Sequence, residues 1–291
     1  MNRVPAIVAS LIVAFAGCKQ PTEIELKPAD PGNDAVVAVV QPIDSTAPSL
    51  PADSIAILPA DASEYAGMIL LSSVTYSDTN GIRYGAFSWV YFADRDRPFR
   101  ILPATPVLGY YGIPLLSLAL DGNTMVRDPH YVRGVLSGRE FKWGWEYSLD
   151  LTPGYQPNHT YHWQSAADSI GSVDAQIASP DNLVVQSPAG GSKVSRTSDL
   201  TLRWVGSGDL TIIISKLTEG GRTQPVLTVK PSRNIGHLVL KASLLQLLAK
   251  DKPVWFTFVL ANRDASISVG GYNSSVLVQA ASVYNTYVEL R

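Results

Sequence analysis

Residues 141–152 read Phe-Lys-Trp-Gly-Trp-Glu-Tyr-Ser-Leu-Asp-Leu-Thr. Phe141, Trp143, Trp145, Tyr147, Leu149 and Leu151 alternate with Lys142, Gly144, Glu146, Ser148, Asp150 and Thr152. Successive side chains of a strand point to opposite faces, so this segment is expected to put its aromatic side inward and its polar side in water. A helix would scatter the same residues around its axis, so the stretch argues for an all-β chain.

Working outward, the same pattern recurs between turn-forming residues. Segments 68–76 and 82–92 flank Ser77-Asp78-Thr79-Asn80-Gly81, a hairpin loop by composition. Tyr161 and Trp163 follow the turn-like Pro153-Gly154-Tyr155-Gln156-Pro157-Asn158, which predicts a second hairpin with the 141–152 strand. Beyond Ser187-Pro188-Ala189-Gly190-Gly191, residues 199–204 alternate cleanly, with Leu200, Leu202 and Trp204 facing inward. Further strands are expected over 209–217, 225–229, 237–240, 254–261 and 275–290, and one short helix over 241–250.

Seven or so short strands with turns between them suggest a β-sandwich. The Ser-Pro-x-Gly-Gly opening, the strand ending in Trp204 and the Leu244-Leu245-Gln246-Leu247-Leu248 segment make this half resemble immunoglobulin-like or fibronectin type III-like modules of bacterial envelope proteins. The resemblance implies a sandwich with Trp204 at its centre. Two β-sandwich-like domains are therefore expected, over residues 63–180 and 181–291.

The first 62 residues are of another kind. Met1-Asn2-Arg3 precedes a mostly apolar run from Val4 to Phe15, then small residues lead to Cys18, the only cysteine. A basic start, a short apolar core and a small-residue junction make a secretion signal over residues 1–17. The run falls short of the roughly 20 residues a membrane-spanning helix needs. Phe15-Ala16-Gly17-Cys18 resembles the lipobox of bacterial lipoproteins, although Phe15 stands where an aliphatic residue is usual. That resemblance implies cleavage before Cys18, acylation of its thiol and amine with palmitate-type chains, and a membrane anchor. Lys19 follows where an inner-membrane retention signal would have Asp, which implies the outer membrane of a Gram-negative cell.

Residues 18–62 then carry Pro21, Pro28, Pro31, Pro42, Pro48, Pro51 and Pro59 with no sustained periodicity, the composition of an extended, disordered tether. The Val-rich patch 35–40 is isolated between prolines and is read as part of it. Two lysines against seven acids make residues 19–61 acidic, while residues 62–291, with 20 basic and 18 acidic residues, are near neutral. With no basic stripe, nucleic acid is not an expected partner.

Chemistry is sparse. Without another thiol, disulfides, a cysteine nucleophile and thiolate metal sites are excluded from the mature chain beyond Cys18. His159 and His162 lie three apart in turn-and-strand surroundings, where they point to opposite faces, so no metal site is expected. Asp94-Arg95-Asp96-Arg97 before Pro98 reads as a solvated turn rather than a calcium loop. Glu140, Glu146 and Asp150 could serve as glycosidase carboxylates, but two of them simply fill the polar side of the strand. Catalytic residues, cofactors and metals are accordingly not expected.

The one concentration that invites a functional reading is aromatic: Trp89, Tyr91, Tyr110, Tyr111, Trp143, Trp145, Tyr147, Tyr155, Tyr161 and Trp163. Strand aromatics belong first to a core. Tyr110, Tyr111 and Tyr155, near Gly and Pro in expected loops, are the candidates for exposed ligand binding. The expectation is an envelope lipoprotein acting in binding, adhesion or envelope assembly, with a protein or polysaccharide partner. Its rivals are a polysaccharide-binding module and a glycoside hydrolase-type enzyme of unrecognised family.

Overall fold

The computed structural model describes residues 22–24, 35–40, 50–51, 65, 67–100, 107, 109–133, 140–166, 170–217, 222–231, 233–248, 253–269 and 272–291. Cys18, the signal segment and most of the 18–62 tether lie outside the described residues.

The described residues are mostly strand, with almost no helix. In order it forms β1 (Thr22–Ile24), β2 (Ala35–Val40), β3 (Leu50–Pro51), β4 (Gly67–Asp78), β5 (Gly81–Phe99), β6 (Gly109–Gly112) and β7 (Ala119–Leu120). There follow β8 (Asn123–Thr124), β9 (Val126–Arg133), β10 (Glu140–Asp150), β11 (Thr160–Gln164), β12 (Asp174–Ala178), β13 (Val184–Ser187) and β14 (Ser192–Val194). The last elements are β15 (Leu200–Val205), β16 (Leu210–Leu217), β17 (Arg222–Pro231), β18 (His237–Leu240), the short helix α1 (Ala242–Leu245), β19 (Pro253–Val269) and β20 (Tyr272–Leu290). The all-β expectation holds.

A thirteen-stranded sheet runs β1-β2-β17-β16-β19-β20-β4-β5-β6-β10-β9, with β3 beside β17 and β14 beside β20. Two smaller sheets, β12-β11-β7-β8 and β13-β15-β18, complete the sandwich-like arrangement. Both smaller sheets pack on the same face of the large one. This follows from β20, whose alternate residues must share a face. Val276, Val278 and Ala280 lie in a core with Leu120, Tyr161, Trp163 and Ala175 of the four-stranded sheet. Tyr284, Val288 and Leu290 lie in a second core with Val185, Leu202, Trp204 and Leu240 of the three-stranded sheet.

Ser282 falls between these two groups on the same face. Its hydroxyl accepts from Ser73 Oγ at 3.3 Å and from the Leu183 N–H at 3.3 Å. A polar seam thus divides one face into two cores, and the chain crosses it at 178–184 in passing from one small sheet to the other. The opposite face carries a smaller buried cluster of Val74, Val259, Ala281 and Val283.

β20 therefore belongs to both halves. It pairs with β4 in parallel from Val276–Gly67 to Thr286–Ser77, and with β19 antiparallel over nearly its whole length. A division of the chain at 180/181 leaves β20 in one half and its partner β4 in the other.

Several local expectations are corrected. The hairpin between β4 and β5 is tighter than its loop composition implied, pairing Asp78 with Gly81. The second expected hairpin does not form: β10 pairs with β5, β6 and β9, while β11 pairs with β7 and β12 in another sheet. The turn after Leu151 changes layer instead of reversing the strand. The patch 35–40 is strand β2 on the edge of β17 and pairs with β1, so it is not free tether. The helix spans only Ala242–Leu245, with Leu244 and Leu245 buried. Trp204 sits as expected, 2% exposed, its ring 5.9 Å from Phe258 and its Nε1–H donated to Asn234.

Candidate functional site

The alternation that suggested an all-β fold is interrupted in space. Between Lys142 and Trp145 the register of β10 on β9 shifts, with Lys142 opposite Tyr131 and Trp145 opposite Pro129. One extra residue on β10 is a bulge, and it reverses which residues share a face. Gly144 carries it, with φ of 97°. Gly144 also meets Gly112 of β6, which wedges between β5 and β10 as they splay apart.

Consequently Tyr147, Leu149 and Leu151 face the first core, whereas Phe141 and Trp143 emerge on the other side of the large sheet. This corrects the expectation of a single apolar face. Trp145 remains on the core side but outside the core, with Arg127 at 4.7 Å and Lys142 at 3.8 Å from its ring centroid. Buried Tyr147 donates to the Leu115 carbonyl at 3.1 Å and accepts the Leu115 N–H.

On the side where Phe141 and Trp143 emerge, an aromatic surface assembles from β5, β6, β9 and β10. Phe99 lies 5.4 Å from Phe141 and 5.2 Å from Trp143, and Tyr111 meets Trp143 edge-on at 6.0 Å. Trp143 donates its Nε1–H to the Arg97 carbonyl at 3.2 Å. The Arg97 guanidinium covers Tyr111 at 3.6 Å, and Arg95 covers Tyr110 at 4.7 Å. Nearby, Trp89 stacks on Tyr91, whose ring lies 4.5 Å from that of His130. His130 Nδ1 is 2.8 Å from Glu146, and Ser148 donates to Asp128 at 2.6 Å. Phe141 is 40% exposed and Arg97 is exposed, so the edge of this surface reaches solvent.

Tyr110 and Tyr111 lie on strand β6 instead of in a loop, and as strand neighbours their rings meet different partners. Each offers one ring face to an arginine from the Asp94-Arg95-Asp96-Arg97 stretch, which is bulged strand and not a turn. Tyr155 is elsewhere. It packs on the first core, stacked on Tyr161 at 5.8 Å, and burial pushes its phenol up to about 12 against the favourable contacts of Ser73 and Ser179. Burial also raises Tyr161 and Tyr84. Phe99, Phe141, Arg95, Arg97 and His130 are members that the sequence did not single out as a group. A signal existed in the pairing of two alternate arginines with two adjacent tyrosines, but only the register brings them together.

The remaining candidates are accounted for by local bonds. His159 Nε2 meets Asp121 at 3.1 Å and His162 Nε2 meets Asp174 at 2.6 Å. Among the described residues no group of three or more metal-ligating side chains gathers. Asp150 accepts the Thr152 N–H at 2.8 Å. Among the described residues no helix is long and apolar enough to cross a membrane.

No family model and no curated protein matches the chain. Among solved structures it is similar to a yeast delta-COP-I mu-homology domain at 9% identity and a TM-score of 0.22, covering 78% of this chain and 98% of that one. The same domain complexed with a Dsl1 WxWxV peptide gives 8% identity and a TM-score of 0.22, covering 78% and 98%. A chimeric titin Z1Z2-Z1Z2 tandem gives 11% and 0.18, covering 76% and 96%. Likenesses of this order carry no functional argument.

Proposed function

We propose that this chain is a non-catalytic binding protein of the bacterial cell envelope, anchored through lipid on Cys18, that recognises its partner on the surface built around Phe99, Tyr111, Phe141 and Trp143. The observation that carries the binding role is the turning-out of Phe141 and Trp143 at the Gly144 bulge, next to Arg97. Aromatic and arginine side chains are the usual anchors of recognition surfaces, and the aromatic rings bury large area with little loss of conformational freedom. The address rests on Cys18 and the segment before it. Diacyl or triacyl modification gives stable anchoring where one chain would give reversible binding.

A polysaccharide partner is the second reading, favoured by the partly exposed Phe141 and Trp143 rings, since flat aromatic faces stack on sugars. Tyr110 and Tyr111 contribute less to such stacking because arginines already cover one face of each. Two measurements separate address from recognition. Metabolic palmitate labelling and membrane fractionation beside Cys18→Ala should show lipid on the natural chain alone. Crosslinking with partner capture, together with glycan arrays, should give signals that Trp143→Ala and Phe141→Ala weaken. A signal indifferent to both substitutions would overturn the assignment of the surface, whatever the labelling shows.

A further inference from the structure

At the opposite end of the large sheet, away from the aromatic surface, lies a cavity of about 650 Å³. It is lined by Lys193, Val194, Ser195, Arg196, Thr197, Gln246 and Arg291. Three of these side chains are cations and none is a carboxylate. β14 brings Lys193 to the place beside β20 that β4 vacates, since β4 pairs with β20 only as far as Thr286 and β14 pairs from Val288 onward. Arg291 follows the last residue of β20 and is tied back to β14, donating its N–H to the Val194 carbonyl at 2.9 Å while the Arg196 N–H donates to its own carbonyl at 2.8 Å.

Arg196 is fixed in place. Its Nε and Nη2 donate to the Leu245 and Gln246 carbonyls at 3.4 and 2.6 Å, at the end of α1. Lys193 is different: it has no ion-pair partner among the described residues. The neighbouring carboxylate is Glu289, opposite Lys193 in the β14–β20 register, and it holds Arg291 loosely at 3.7 Å. Ser195 and Thr197 share a hydrogen bond of 3.0 Å at the rim. Glu289 offsets one of the three positive charges, and the net positive concavity that remains attracts a multiply charged anion.

The geometry points to an anion-binding site that takes a phosphate group, with Lys193 and Arg291 as its charged contacts and Ser195, Thr197 and Gln246 as neutral ones. A phosphate fits better than a carboxylate because it carries close to two charges and several acceptor oxygens. It does not depend on the aromatic surface, which lies on other strands.

The test is isothermal titration calorimetry of the purified full chain carrying Cys18→Ala, so that no acyl anchor contributes, with sodium pyrophosphate at low ionic strength, beside flotation of the same chain with phosphatidylglycerol vesicles. Lys193→Gln and Arg291→Gln are both at exposed positions, so far-ultraviolet circular dichroism should be unchanged in each. Single-site binding of pyrophosphate, weakened about five- to tenfold by either variant, supports the site with a free phosphate as ligand. Flotation on the vesicles alone, lost in the same variants, supports it with a lipid headgroup as the source. Binding to neither probe, or binding that both variants leave unchanged, overturns it. Trp143→Ala should leave every one of these readings as it was.

Discussion

A Cβ built on Gly144 would sit 2.2 Å from the Gly112 carbonyl oxygen and 2.3 Å from its nitrogen, and a Cβ on Gly112 would sit 2.2 Å from the Trp145 carbonyl oxygen. Backbone cannot yield as a side-chain tip can, and the φ of 97° at Gly144 is itself costly for any other residue. Gly144→Ala is therefore expected to lose about 3 kcal/mol or more in urea unfolding. A loss below about 0.5 kcal/mol, the size of an ordinary surface change, would refute the account of the bulge. A bulge of this kind is invisible in an alternating sequence: glycine at 144 fits the polar side of a strand as well as it fits an extra residue. That is why Phe141 and Trp143 could not be separated from Tyr147 and Leu149 beforehand. Tyr155 offers a prediction about pH. Its folded-state value near 12 lies above the ordinary phenol, so the neutral form is the one the fold favours. Its contribution is complete below about pH 10 and is lost as pH rises toward the folded value. Thermal melts across that window should fall more steeply for the natural chain than for Tyr155→Phe, and the tyrosinate absorbance should show a late-titrating phenol that is missing from Tyr155→Phe. Equal slopes would mean that its burial does not couple to stability.

Elements were legible in proportion to how local their determinants are. The strand 237–240 and the alternation of 199–204 correspond closely to β18 and β15 because each has one wet and one buried face. β4 and β20 are buried on both faces over much of their length, and their pairing joins residues about 209 apart in the chain, as the Ser73–Ser282 contact shows. No periodicity announces such a partner. Short strands such as β6 and β12 are shaped by their neighbours more than by their own composition. The polar seam is an element-scale feature with a measurable weight. Ser282→Val removes the acceptor for the buried Leu183 N–H and the partner of Ser73, with an expected loss of about 1–3 kcal/mol in denaturant unfolding. Ser282→Thr, which keeps the hydroxyl, should recover part of it. If Val proved neutral, the seam would be filler and not a join. In the first core, Trp163 is fully buried and donates to Ser88 at 3.0 Å, so Trp163→Ala should lose about 3–5 kcal/mol.

Among the described residues one large sheet lies under two smaller ones, and its strand β20 contributes to both of the larger cores. A fragment of residues 63–180 lacks β20, and with it Val276, Val278 and Ala280 from its own core. It should therefore fail to give the dispersed amide spectrum of a folded domain, whereas a well-dispersed spectrum would show that the halves are independent. By the same reasoning Phe258→Ala in the second core should shift one common unfolding transition, read equally by Trp163 and Trp204 environments, and two separated transitions would contradict the shared sheet. The position of β20 at the far end of the chain has a consequence in time. Ribosomes deliver a polypeptide from its N-terminus, yet neither core here can close fully until residues 272–290 have arrived, because β20 supplies both and β4 waits for a partner made some two hundred residues later. Pairings of such long range are slow to find. A chain built this way stays open through most of its synthesis and commits to its shape only when its last long strand has been made.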